Sequence, residues 1–160
     1  LYAGEDVKFI ARRIIICAAE DVGNADPNAL TVAVSAAQAV ERIGLPEGRI
    51  PLAEAVTYVA TAPKSNAAYE GILKAMEAVK ARKTPPVPAH LQDKHYKGAE
   101  KLGHGLGYKY AHDYPNHYVE QQYLPDGMEN EKFYFPTENG YEKQIRSYMD
   151  RIRAEGKEYK

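Results

Sequence analysis

The sequence predicts a mainly α fold, a bundle of helices carrying a loop-rich, tyrosine-rich tail and a final helix. Nineteen alanines fall in residues 1–83 and four in residues 84–160, so small side chains of high helix propensity gather where helix axes would approach closely. The aromatics divide the other way, four in residues 1–95 and twelve in residues 96–160, as expected where large side chains must anchor irregular backbone. Within the first half, apolar residues recur at helical spacing between proline and capping signals. The expected organisation is one domain: a four-helix core over 1–83, a Pro/Gly/Tyr-rich segment over 84–136 packed on it, and a C-terminal helix within 137–160.

The first helix is expected over 4–21, with Val7, Ile10, Ala11, Ile14, Ile15 and Ala18 on one face. Phe9 and Ile16 fall on another, so its apolar surface exceeds a single stripe. Asp26–Pro27 supplies an N-cap acceptor and a first-turn proline for the second helix, with Leu30, Ala33, Val34, Ala37 and Val40 facing inward. Pro51 opens the third, with Leu52, Ala55, Val56 and Val59 inward. Ser65 caps the fourth, in which Tyr69, Ile72, Leu73, Met76 and Val79 recur, and Gly71 within it points to a close helix crossing. After the stiff Thr84–Pro85–Pro86–Val87–Pro88 come short helical turns and at most one short strand at 132–135. Thr137 begins the last helix, whose expected buried face is Tyr141, Ile145, Tyr148 and Ile152.

A net charge of −1 gives no global attraction to nucleic acid or membrane, so any basic surface must be local. The single Cys17 sits in an apolar run and reads as a small core residue of a reducing compartment rather than a nucleophile. No run approaches the ~20 apolar residues of a membrane span, and no basic-then-apolar leader opens the chain, which together imply a soluble, intracellular protein.

Residues 98–113 form the densest unusual segment, with four glycines, two histidines, two tyrosines and three lysine or glutamate side chains interleaved without helix or strand period. Its Gly103-x-Gly105-x-Gly107 follows no strand and opens no helix, so it reads as a tight structural turn with glycines at positive φ rather than a phosphate loop. Lys94, Lys97, Lys101 and Lys109, interleaved with Tyr96, Tyr108 and Tyr110, fit a surface on which lysines meet phosphates and aromatic faces stack on bases. Any DNA affinity from so few lysines would be nonspecific and steeply salt-dependent. His112–Asp113 resembles the paired ligands of metal-dependent phosphohydrolases, although the five histidines show no tight ligand spacing.

Several ordered blocks carry a resemblance. They are Gly4–Glu5–Asp6, Phe9–Ile10–Ala11–Arg12–Arg13, the run from Ala19 to Pro27, and Ala62–Pro63–Lys64–Ser65–Asn66. Tyr96–Lys97–Gly98–Ala99, the run from Gly103 to Tyr110, and Gln122–Tyr123–Leu124–Pro125–Asp126 follow. Together they resemble the C-terminal region of the replication-associated recombination protein A family (RarA, also called MgsA), AAA+ ATPases related to clamp-loader subunits and to the Werner-helicase-interacting protein. Ala111, just before His112, stands where the family would have proline. The resemblance implies a helical oligomerisation domain like the clamp-loader collar, in a bacterial, cytoplasmic, nucleoid-associated protein acting at replication forks in recombination and repair. It implies homotetramers that engage DNA and single-strand-binding protein, with ATP and Mg held by an ATPase module of the parent. No catalytic, cofactor or metal residue is carried over to this chain, which is expected to show no ATPase activity. The surplus apolar surface around Phe9, Ile16 and Val22 marks the candidate oligomer interface unless the tail covers it. Two alternatives stay open: a DNA-contacting module on the Lys/Tyr segment 94–110, and a metal-dependent phosphohydrolase using His112 and Asp113.

Overall fold

A computed structural model describes residues 1–156, and their regular elements are helical: α1 (Val7–Cys17), α2 (Asn28–Ile43), α3 (Arg49–Thr61), α4 (Ala67–Ala81) and α5 (Glu142–Gly156). The mainly α expectation holds. The chain forms two compact units, the first from residues 1–74 with 134–146 and the second from residues 75–133 with 147 onward.

In the first unit, Asp6 caps α1 by accepting the N–H of Phe9 at 2.8 Å. α1 stops short of the expected residue 21 as an α-helix. It widens into a π-turn over Ala18–Val22 and a 3₁₀ turn over Gly23–Ala25, and the carbonyl of Asp21 takes the N–H of Ser65 at 2.8 Å instead of a helical partner. Asp26 starts α2 with its Oδ1, which accepts the N–H of Asn28 at 3.1 Å. Its Oδ2 accepts the Tyr58 hydroxyl at 2.9 Å, tying the head of α2 to α3.

α1, α2 and α3 enclose a core of Ala11, Ile14, Ala18, Val22, Ala29, Ala33, Ala36, Val40, Leu52, Ala55 and Val59. Alanine lets the axes close, while each large member such as Leu52 contributes about 2 kcal/mol by leaving water. The inward face of α2 is Ala29, Ala33, Ala36 and Val40, rotated from the expected one, and Leu30 is 41 % exposed. On α3, Leu52, Ala55 and Val59 are buried as expected, but Val56 is exposed. Val22 corrects a second expectation. It is 0 % exposed and packed inside this core, so it belongs to no outer interface.

α4 reverses its expected orientation. Its buried residues are Ala67 and Gly71, with Ala75 and Ala78 half-buried on the same side. Tyr69, Ile72, Leu73, Met76 and Val79 lie on the opposite side, each between 40 % and 56 % exposed. The small face is the one that permits close packing, so the large apolar row is left outward.

Residues 134–142 are held in the first unit by a buried carboxylate. Glu142 accepts from Ser65 Oγ (2.6 Å), Thr137 Oγ1 (2.7 Å), Thr137 N (2.8 Å) and Tyr134 Oη (2.8 Å). Thr137 therefore does not begin a helix, since both its donors turn to Glu142 and α5 starts there. Tyr141 and Tyr148 are exposed rather than buried, while Ile145 and Ile152 are half-buried.

The second unit is mostly irregular and is pinned by polar side chains. Gln121 exchanges two bonds with the backbone of Lys109, accepting its N–H at 3.2 Å and donating to its carbonyl at 2.9 Å, which replaces a missing strand partner. His90 Nε2 donates to the Gln122 carbonyl at 2.8 Å, and Arg82 pairs with Glu131 at 2.5 Å. Ala99, Val119 and Met128 are its buried apolar residues. Residues 132–135 are extended without forming a strand.

Candidate functional site

The glycine-tyrosine segment folds as a shaped turn whose glycines Gly103, Gly105 and Gly107 have φ of 72°, 73° and 79°. Gly105 donates its N–H to the Ala89 carbonyl at 2.8 Å, and a Cβ on it would lie 3.0 Å from the Cβ and Cδ of Lys94. Alanine at position 105 is expected to cost about 1–2 kcal/mol, from the left-handed backbone and the displaced lysine stem. Thermal melting of that variant checks it, and an unchanged midpoint would show the turn to be loose. Tyr96 closes the far side of the turn, its hydroxyl 2.6 Å from His104 Nδ1.

This turn borders a cavity of about 530 Å³ whose lining includes Tyr108, Tyr110, Tyr123, Lys94, His90 and His95. The three tyrosines are 48 %, 54 % and 56 % exposed. Asp93 also borders it, but His95 occupies that carboxylate with its backbone N–H (2.9 Å) and its Nδ1 (2.8 Å). Those two bonds hold Asp93 below the usual carboxylate range.

Of the residues singled out in the sequence for DNA contact, Lys94, Tyr108 and Tyr110 meet at this cavity, while Lys97 and Lys101 are exposed outside its lining. Lys109 is placed differently. Its ammonium turns to the Glu120 carbonyl at 3.4 Å and the residue is half-buried, because Gln121 holds its backbone and aims the side chain inward. Sequence reasoning missed Tyr123, His90 and His95 as cavity residues; they lie outside the glycine-rich run, and only the turn brings them together. His112 has its Nδ1 3.3 Å from that of His117 and its ring against Tyr110. Among the described residues no three His, Cys, Asp or Glu side chains converge as a metal site.

A second concavity, of about 520 Å³, lies between α1 and α3 and is lined by Phe9, Ile10, Ile14, Cys17, Val56 and Val59. Phe9 is exposed, with the Arg12 guanidinium 5.2 Å above its ring, and Ile16 is half-buried. The Asp21 carboxylate and then burial push the Cys17 thiol up, so it remains a protonated wall residue. Lys64, also on this wall, spends its ammonium on the carbonyls that end α3, reaching Val59 at 2.7 Å as well as Ala60 and Ala62. No helix among the described residues is long and apolar enough to cross a membrane.

The chain is 53 % identical over 154 residues to an uncharacterised AAA domain-containing protein of Mycobacterium tuberculosis, covering 96 % of this chain and 34 % of the relative. To the replication-associated recombination protein A of Bacillus subtilis it is 46 % identical over 148 residues, 92 % of this chain and 35 % of the relative. To its Escherichia coli counterpart it is 41 % identical over 144 residues, 89 % and 32 % respectively. The chain thus spans about a third of the length of these curated relatives. The family described as MgsA AAA+ ATPase C terminal matches residues 1–153, a span that takes in the helical core, the outward row of α4 and the tyrosine cavity alike. With that match over nearly every described residue, and with relatives of this identity, the chain belongs to the family of MgsA AAA+ ATPase C-terminal domains.

Proposed function

We propose that this chain is the self-association module of a AAA+ ATPase that works in replication-associated recombination, and that four copies assemble through it. The observation that carries this reading is the outward row Tyr69, Ile72, Leu73, Met76 and Val79 on α4. A row of large apolar side chains turned away from the core, on a helix whose small residues face inward, gains stability when a second copy covers it. A repeated patch pair on identical chains closes by rotation, and a stable contact of this kind buries at least ~1,000 Å². Phe9, Val56 and the groove between α1 and α3 offer a second apolar patch for such a pairing.

The parts of the parent beyond this chain would hold ATP and Mg and supply hydrolysis, with this module setting the spacing of the ATPase units. DNA and single-strand-binding protein are partners of the assembled parent in this reading, and its place is the bacterial cytoplasm at the nucleoid.

Light scattering across a concentration series is expected to return about four times the chain mass at micromolar concentration without nucleotide or DNA. Exchanging Ile72 and Met76 together for glutamate is expected to return the monomer with its helical circular dichroism intact, since both side chains are exposed. A monomer mass for the unaltered protein at high micromolar concentration would sink the reading.

A further inference from the structure

We propose that the tyrosine cavity of the second unit receives one unpaired nucleotide of a single-stranded DNA, its base against the tyrosine rings and its phosphate on Lys94. This goes beyond self-association, and a monomeric chain would retain it, since every lining residue belongs to one unit.

The lining supplies what a base and its phosphate each require. Tyr108, Tyr110 and Tyr123 line one concavity while about half-exposed, so a planar partner entering it would cover aromatic surface now in water. At about 530 Å³ the space admits a base with its sugar, well above the volume of a single side chain. Tyr123 Oη accepts from Gln121 Nε2 at 3.0 Å, so its own O–H remains available to donate to a base carbonyl or a phosphate oxygen. His90 spends its Nε2–H on the Gln122 carbonyl, which fixes its tautomer.

The charge is local and of the right sign. Lys94 lines the cavity and Lys97 and Lys101 are exposed in the same segment, against Asp93 and Glu100, in a chain whose net charge is −1. Asp93 stays ionised at the lining with its Oδ1 held by His95, and its charge is offset by Lys94 together with the exposed Lys97 and Lys101 of the same segment. Lys94 has no carboxylate ion-pair partner among the described residues, and its stem packs against Gly105 in the cavity lining.

The same turn disfavours a free nucleoside triphosphate. Four of its amide donors are committed within the protein: His104 to Ala99, Gly105 to Ala89, Leu106 to Gly103 and Tyr108 to Gly105. A triphosphate needs a cradle of free N–H groups, whereas a phosphodiester needs one cation per contact. Duplex DNA hides its base faces by stacking, so the ligand must be unpaired.

The test uses the full-length protein and a fifteen-residue deoxythymidine oligonucleotide carrying one photoreactive 5-iodouracil. Crosslinked peptides read by mass spectrometry are expected to contain Tyr108, Tyr110 or Tyr123. Tyr108→Ser is expected to abolish that crosslink and weaken binding about tenfold, while Lys94→Gln lowers the slope of log affinity against log salt by about 0.7. Crosslinks confined to other segments, or both variants binding and crosslinking like the parent with unchanged circular dichroism, would overturn the proposal. So would displacement of the crosslink by ATP at a concentration that leaves overall oligonucleotide binding intact. Loss of the tetramer with retention of the crosslink would separate this site from the assembly reading.

Discussion

Replacing Gly140 by alanine is expected to lower stability by about 3–5 kcal/mol, a large part of what a domain of this size has to lose. Gly140 has a φ of 53° and lies against the chain segment that ends the π-turn region of the first unit. A Cβ there would sit 2.1 Å from the Ala25 carbonyl oxygen and 2.7 Å from Pro63 Cγ. Neither neighbour is the free end of a flexible side chain, so backbone must move. The same Ala25 carbonyl accepts the N–H of Tyr141 at 2.7 Å, and pushing the strands of chain apart breaks that bond as well. The left-handed backbone alone accounts for about 1 kcal/mol, and the clash with the lost hydrogen bond for the rest. Gly127 separates the two causes: its φ is 82°, but nothing lies within 4 Å of a Cβ placed on it. Urea unfolding followed by circular dichroism should show Gly127→Ala shifted by about 1 kcal/mol and Gly140→Ala by several times as much. Equal shifts would mean the Gly140 contact relaxes without cost.

Helix positions were legible in the sequence because they depend on local chemistry. Asp6, Asp26–Pro27 and Pro51 each stand at or beside the start of a helix, since caps and first-turn prolines act within a few residues. The inward faces were less legible. Periodicity weighs large apolar residues, and alanine is nearly silent in it, yet close helix packing selects for alanine and glycine. That is why α2 turned from Leu30 to Ala29 and Ala36, and why α4 buried Gly71 while Ile72 and Met76 stayed outside. Val22 escaped for another reason: the π-turn shifts it by a fraction of a turn relative to a continuous α-helix, carrying it into the core. In the cavity, Lys94, Tyr108 and Tyr110 were visible as a lysine-tyrosine pattern and the positive φ of the glycines followed from their type. The direction of Lys109 was not visible, because it rests on Gln121, twelve residues away. Glu142 carried no signal at all, since an acidic residue in the first turn of a helix is ordinarily a solvated one.

Glu142 is also where the protein's response to acid should be largest. Exchanging it for alanine is expected to cost on the order of 3–5 kcal/mol, because Ser65 Oγ, Thr137 N, Thr137 Oγ1 and Tyr134 Oη would lose their shared acceptor inside the fold. Glutamine should cost less, about 2–3 kcal/mol, as its amide keeps one acceptor oxygen but turns an NH₂ toward donors. Burial by itself would raise the Glu142 carboxyl, but the bonds from Ser65, Thr137 and Tyr134 outweigh it and hold the group below the usual carboxylate range. Tyr134 moves the other way: burial raises its hydroxyl, the Asn24 bond lowers it, and the neighbouring Glu142 raises it further, so it stays a donor at neutral pH. A carboxylate lowered in the folded state binds fewer protons there than in the unfolded chain, so its stabilisation is complete above the ordinary value of about 4.3. It is lost as pH falls from that value through the lower folded one. Glutamine does not titrate, so the stability gap between the unaltered protein and Glu142→Gln should hold level from pH 7 to about pH 5 and shrink from there toward pH 3. Urea midpoints measured for both proteins across that range give the answer directly. A gap that stays constant down to pH 3 would mean that the Glu142 carboxyl titrates alike in the folded and unfolded chain, so that the four donors do not favour its ionised form.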